Sequence, residues 1–175
     1  MKTSAIFLII YFCIYPIYGQ ESAEKVSNQH LNSQIKEAKA QIKSAIKLRD
    51  FETVSQSIAD LESNLGKDSK NAYRKYSASL RLLRLIREEN AVEISQVNAN
   101  RIVKSLIKLA KENNSFNDAE RAAIYTDIGY AYQYILFDEM EALIAYEQVL
   151  VFAPEHPGAN KAINRLKQLH AHLNN

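Results

Sequence analysis

Apolar positions recur along this chain at three- and four-residue steps almost from end to end, and nowhere alternate for long. Leu31, Ile35, Ala38, Ile42 and Ala45 lie four or three apart, the period of one helix face. Arg49-Asp50 interrupts that run. Phe51, Val54, Ile58, Leu61 and Leu65 make the next stripe, with Asp50 as its N-cap and Gly66 as its C-terminal stop. A third helix is predicted from about Lys70 to Glu88, carrying Tyr73, Tyr76, Leu80, Leu83 and Ile86. The fourth carries Ile94, Val97, Ile102, Leu106 and Leu109. Asn90 and Glu93 have the spacing of a capping box at its start.

Two further capping boxes follow, at Asn117/Glu120 and at Asp138/Glu141. The first opens a helix over 118–136, and the second opens one that stops near Pro154. A last helix begins at Pro157, a residue tolerated in a first helical turn, and is expected to bury Ile163, Leu166 and Leu169. Seven helices result. With 4 glycines, 3 prolines and no sustained alternation in the chain, the fold class is all-α. Short loops make consecutive helices antiparallel hairpins. Periodicity alone leaves both a closed bundle and an open solenoid; the choice turns on whether the hairpins repeat.

Gly129, within DIGYAYQY, bears on that choice, because glycine in a helix interior costs about 1 kcal/mol relative to alanine. Tyr125, Ile128, Gly129 and Tyr132, followed by Ala142, Tyr146 and Pro154, resemble the tetratricopeptide (TPR) pattern W-x2-L-G-x2-Y…A-x3-F…P. The match covers one unit, 122–156. Tyrosine stands for the leading tryptophan, isoleucine for leucine, and the turn before Ala142 is one residue too long. The resemblance implies that the small residue lets the two helices of a hairpin lie close, so these seven residues form the repeat's packing set. A leucine at Gly129 should then disrupt the hairpin, and alanine should be mild. Tyr73, Tyr76, Ser77 and Leu80 echo the first half of the pattern, and Val54 and Ile58 echo the places of Ala142 and Tyr146. The implied architecture is a short right-handed helical-hairpin solenoid of about three hairpins, closed by a capping helix over 157–171 with a polar outer face.

The N-terminus changes the setting. Lys2, an apolar run from Ala5 to Tyr15, then Pro16 and Gly19 have the layout of a secretory signal. The expected cut falls between Gly19 and Gln20, making 1–19 a signal peptide, 20–28 a flexible segment and 29–173 the helical domain. Retention of the apolar run as an anchor is the alternative, although it falls short of the roughly 20 apolar residues of a comfortable span. The protein is thus expected to be secreted or periplasmic, with no integral span in the mature form. Cys13, the single cysteine, lies within the run behind Tyr11 and Phe12, not behind the small residues that lipid attachment needs. The mature chain is therefore cysteine-free, which excludes disulfides, thiolate metal sites and cysteine nucleophiles. Of 22 basic and 20 acidic residues only Lys2 lies in 1–19, leaving one net positive charge. That balance argues against nucleic acid as a partner.

Catalysis finds little support. The chain has no glycine-rich phosphate loop, nucleophile elbow or HExxH. His170 and His172 are two apart near the terminus, a spacing that splits them across a helix. No enzyme, cofactor or metal is expected. Binding has more. At 100° per residue Thr126, Tyr130, Gln133 and Tyr134 leave the face that holds Gly129, and the corresponding positions of the third helix are Asn71, Arg74 and Arg81. By the family resemblance these seven positions line a concave groove for a protein or peptide. Tyrosine and arginine are enriched at interface hot spots. Arg84 joins Lys70, Arg74 and Arg81 in a basic stripe. A structural, self-assembling envelope component, homo-oligomeric through an exposed hairpin face, is the alternative function.

Overall fold

A computed structural model describes residues 29–63, 69–88 and 92–173. Every regular element among them is helical. α1 covers 29–48, and α2 (Phe51–Ser63), α3 (Ser69–Glu88), α4 (Val92–Glu112), α5 (Asp118–Ala131), α6 (Glu139–Phe152) and α7 (Pro157–Leu173) follow. Residues 29–37, all helical, fall in a different compact unit from the rest of the described chain. The packing below is that of Ala38–Asn175.

Local chemistry sets the helix ends. Arg49, at a left-handed φ of 56°, ends α1 while the Asp50 N–H donates to Ala45 O (2.9 Å) and the Arg49 N–H to Ile46 O (3.0 Å). These are the paired bonds of a Schellman stop, made here without glycine. Asp50 then caps α2, accepting from the Thr53 N–H at 3.0 Å and the Thr53 hydroxyl at 2.6 Å. At α5 the capping box is reciprocal: Asn117 Oδ1 accepts from the Glu120 N–H, and Glu120 Oε2 from the Asn117 N–H, each at 2.9 Å. Asp138 caps α6 through the Glu141 N–H at 3.0 Å. The predicted features at Leu65, Gly66 and Asn90 lie outside the described residues, as do the signal and 20–28.

Packing follows chain order, and in addition α3 lies against α5. Lys70 pairs with Glu120 at 2.8 Å, the Tyr73 hydroxyl donates to Asp127 at 3.0 Å, and Arg84 donates to the Tyr130 hydroxyl at 2.9 Å. Both numbers rise together, so α3 and α5 run parallel. α5 and α6 run antiparallel, since Tyr125 stacks on Phe152 while Gln133 bonds Tyr146. Arg121 closes the α4 end. Its guanidinium donates to Ala110 O, to Asn113 O at 3.1 Å and to Phe116 O at 3.3 Å, satisfying carbonyls that a helix C-terminus leaves open. A buried Glu62 pairs with Arg101, tying α2 to α4.

Most predicted stripes are buried, including Val54, Ile58 and Leu61 of α2 and Leu80, Leu83 and Ile86 of α3. Three expectations need correction. Val97 is 65 % exposed; the first turns of α4 pack through Ser95 and Ala99 instead, so small residues carry the core register and the apolar one faces out. Leu169, in the last turns of α7, is also exposed. Finally, the α-helix over 118–136 ends at Ala131 and continues as a π-turn, Tyr132–Leu136. Phe137 (φ 58°) stops it, with its own N–H and that of Asp138 both directed at Tyr132 O.

Candidate functional site

The π-turn sets the local geometry, as wide turns often do near functional surfaces. Tyr130 on α5 and Tyr134 within the turn have ring centroids 5.0 Å apart, tilted by 46°. The Arg84 guanidinium, arriving from α3, lies 5.5 Å from the Tyr130 centroid and 5.0 Å from that of Tyr134. Arg84 Nε donates to Glu88 at 3.0 Å. The Tyr130 hydroxyl, and after it Glu88, hold the Arg84 proton more firmly than in free arginine. One turn further along, Arg87 lies 3.5 Å over the Phe137 ring, and burial lowers its pKa. Cations over tyrosine and phenylalanine faces are attracted by the ring quadrupole. At the other end of the face, burial first and then the Asp127 charge push the Tyr73 phenol well above its ordinary pKa.

This arrangement selects among the predicted groove residues. Tyr130 and Tyr134 come together, and the arginine that meets them is Arg84. Arg74 and Arg81 lie exposed on the same helix, and the Arg81 charge acts on the Tyr73 phenol. Asn71 is half-buried. The Thr126 hydroxyl donates within its own helix, to Ala122 O at 2.8 Å. Gln133 turns to α6, accepting from the Tyr146 hydroxyl at 3.0 Å. The Arg87–Phe137 contact has no signal in the sequence beyond the charge of Arg87. Among the described residues no three histidine, cysteine, aspartate or glutamate side chains are grouped to hold a metal. No helix among them is long and apolar enough to cross a membrane.

Four of the seven residues of the repeat pattern, Tyr125, Tyr132, Ala142 and Tyr146, meet in one cluster. Ala142 and Tyr146 are buried in it with Val149 and Ile163, and Tyr125 and Tyr132 pack against it. Tyr125 stacks on Phe152 at 5.8 Å and 14°. Ile128 is buried nearby, and Pro154 is exposed in the turn after α6. Gly129 faces the Tyr146 ring so closely that an added Cβ would lie 2.7 Å from Tyr146 Cε1. Close approach is therefore what the glycine allows. Alanine is not the mild replacement expected, because even one methyl displaces that ring. Ser77, at the matching place in α3, is only half-buried.

No protein-family model, curated protein or solved structure matches this chain.

Proposed function

We propose that this chain is an exported, non-enzymatic interaction module, tetratricopeptide-like in architecture, whose α3–α5 face binds a protein or peptide. Two features favour the repeat reading: the parallel contact of α3 and α5, with α4 between them in sequence, and the Gly129–Tyr146 approach. Parallel first helices are what stacked hairpins produce, each repeat touching its neighbours.

The observation that carries the binding reading is the Arg84–Tyr130–Tyr134 stack, with Arg74 and Arg81 exposed on the same helix. Half-buried tyrosines offer rigid contact area with a hydroxyl at the rim. Arginines offer charge-assisted hydrogen bonds to carboxylates. The ligand this combination suits is a peptide with acidic and aromatic or apolar side chains. Selecting a displayed random peptide library on the purified protein tests the proposal. Enriched sequences should place Asp or Glu next to an aromatic or aliphatic residue and should lose binding to Arg81→Glu. Enrichment of basic or featureless sequences, or none, would overturn it.

A further inference from the structure

A cleft of about 350 Å³ opens between α4, α5 and α6. Tyr125 and Tyr132 form its floor, with Ile107 and Lys111 on the α4 wall and Glu141 and Ile144 on the α6 wall. A concave space of that volume, mostly apolar with a few polar groups, has the make-up of a small-molecule site. Tyr125 and Tyr132 lie on the side of α5 opposite Tyr130 and Tyr134, so the cleft is separate from the α3–α5 face.

Its two ends carry opposite charges. The bond from Arg121 to Ala110 O fixes the end of α4 beside the start of α5, which places Lys111 at the Tyr125 end. The Arg121 guanidinium adds a second positive charge there, 6.0 Å from the centroid of the Phe152 ring that stacks on Tyr125. The Gln133–Tyr146 bond and the Tyr125–Phe152 stack set α6 antiparallel to α5, which places Glu141 at the Tyr132 end. Consistent with that placement, the charges of Glu141 and then Asp138 help raise the Tyr132 phenol, after burial. The neighbouring acids are turned elsewhere: Glu112 to Lys108, Glu139 to His170 and Glu147 to Lys167. Among the described residues neither Lys111 nor Glu141 has an ion-pair partner.

An apolar slot with a cation at one end and an anion at the other is complementary to a molecule that is apolar along its length and zwitterionic at its ends. The ends are set by Tyr125 and Tyr132, between which the helix rises about 10 Å. An extended peptide covers that distance in about three residues. Gln148, also in the lining, offers both a donor and an acceptor to amides between the ends, which a plain alkyl chain would leave unused. We propose that the cleft binds a short apolar peptide of about three residues with both termini free, its carboxylate at Lys111 and its ammonium at Glu141. The site shares no residue with the α3–α5 face, so the two proposals stand or fall separately.

Isothermal titration calorimetry of the purified chain with the tripeptide Leu-Phe-Leu, free at both ends, tests this, with circular dichroism to verify that each variant is folded. One peptide should bind per chain with a Kd below about 1 mM. Amidating its carboxylate or acetylating its amine should each weaken binding about two- to fivefold, the range of an exposed ion pair. Lys111→Ala should weaken the free peptide by a similar factor and leave the amidated one unchanged. Glu141→Gln should do the same for the free peptide and leave the acetylated one unchanged. Ile144→Asp, which sets a charge in the apolar wall, should weaken every form about fivefold or more. No binding at millimolar peptide would overturn the proposal, and so would affinity indifferent to the blocking groups, which would make the cleft a plain apolar slot. Self-association of the chain that Ile144→Asp abolishes, with no peptide bound, would give the cleft to a second copy and overturn it as well.

Discussion

The Tyr146 ring occupies the space that a side chain at Gly129 would need: Cε1 lies 2.7 Å, and Cδ1 and Cζ 2.9 Å, from where a Cβ would stand. Tyr146 is buried and its hydroxyl is held by Gln133, so the ring has little room to move aside. Alanine at 129 gains about 1 kcal/mol in helix propensity, and overpacking costs about 1–3 kcal/mol. Gly129→Ala should therefore lower stability by about 1 kcal/mol net, and Gly129→Leu by about 3 kcal/mol, in urea unfolding. In a Tyr146→Ala background the alanine substitution should become neutral or stabilising. Persistent destabilisation there would show that the ring is not the obstacle.

Arg121 serves as a side-chain cap for a helix other than its own. A hydrogen bond to a charged group contributes about 1.5–3 kcal/mol net of the exchange with water. Arg121→Met keeps the apolar stem and should cost about 2 kcal/mol. Hydrogen exchange should quicken first at the end of α4. Faster exchange confined to α5 would assign the residue a different role.

High pH should unfold the protein through its phenols. Burial is the main cause holding both Tyr73 and Tyr146 well above the ordinary tyrosine range. In the unfolded chain they ionise near pH 10, while in the folded protein they stay neutral. Their contribution is therefore complete below about pH 10 and is lost as pH rises from there towards the folded values. Urea midpoints should fall above about pH 10, and the fall should be shallower for Tyr73→Phe and Tyr146→Phe. An equal fall in those variants would place the alkaline lability elsewhere.

Much of the architecture is legible in the sequence because it rests on local chemistry. Asp50, Asn117 and Asp138 announce three helix starts, and Gly129 with Tyr125, Tyr132, Ala142 and Tyr146 marks a close-packed hairpin. What was not legible depends on partners distant in sequence. Val97 reads as core until Ser95 and Ala99 are seen to face inward, with the Ser95 hydroxyl satisfied by Val92 O at 2.7 Å. The π-turn has no glycine or proline to signal it. The identity of the arginine over Tyr130 and Tyr134 depends on the offset between two parallel helices, and periodicity within either helix does not fix that offset. A one-turn error there exchanges Arg81 for Arg84.

That exchange also alters the energetics of the tyrosine pair. Without the Arg84 contact, truncating Tyr130 and Tyr134 should leave the fold untouched. With it, an exposed cation–π contact contributes about 0.5–1 kcal/mol, so Tyr130→Ala/Tyr134→Ala should lower stability by about 1–2 kcal/mol without loss of cooperativity. Tyr130→Phe keeps the ring and loses only the bond to Arg84, and should cost less than truncation of the same residue. Thermal melts of the three variants rank them. Complete unfolding of the double variant would make the pair core rather than surface.

Amide chemical-shift mapping, with the labelled protein titrated by an acidic–aromatic peptide, tests most directly whether the α3–α5 face is where a partner binds. Perturbed residues should cluster at Arg74, Arg81, Arg84, Tyr130 and Tyr134, and added salt should weaken the binding through screening. Perturbations gathered along α6, or none at saturating peptide, would show that this face does not bind such a ligand.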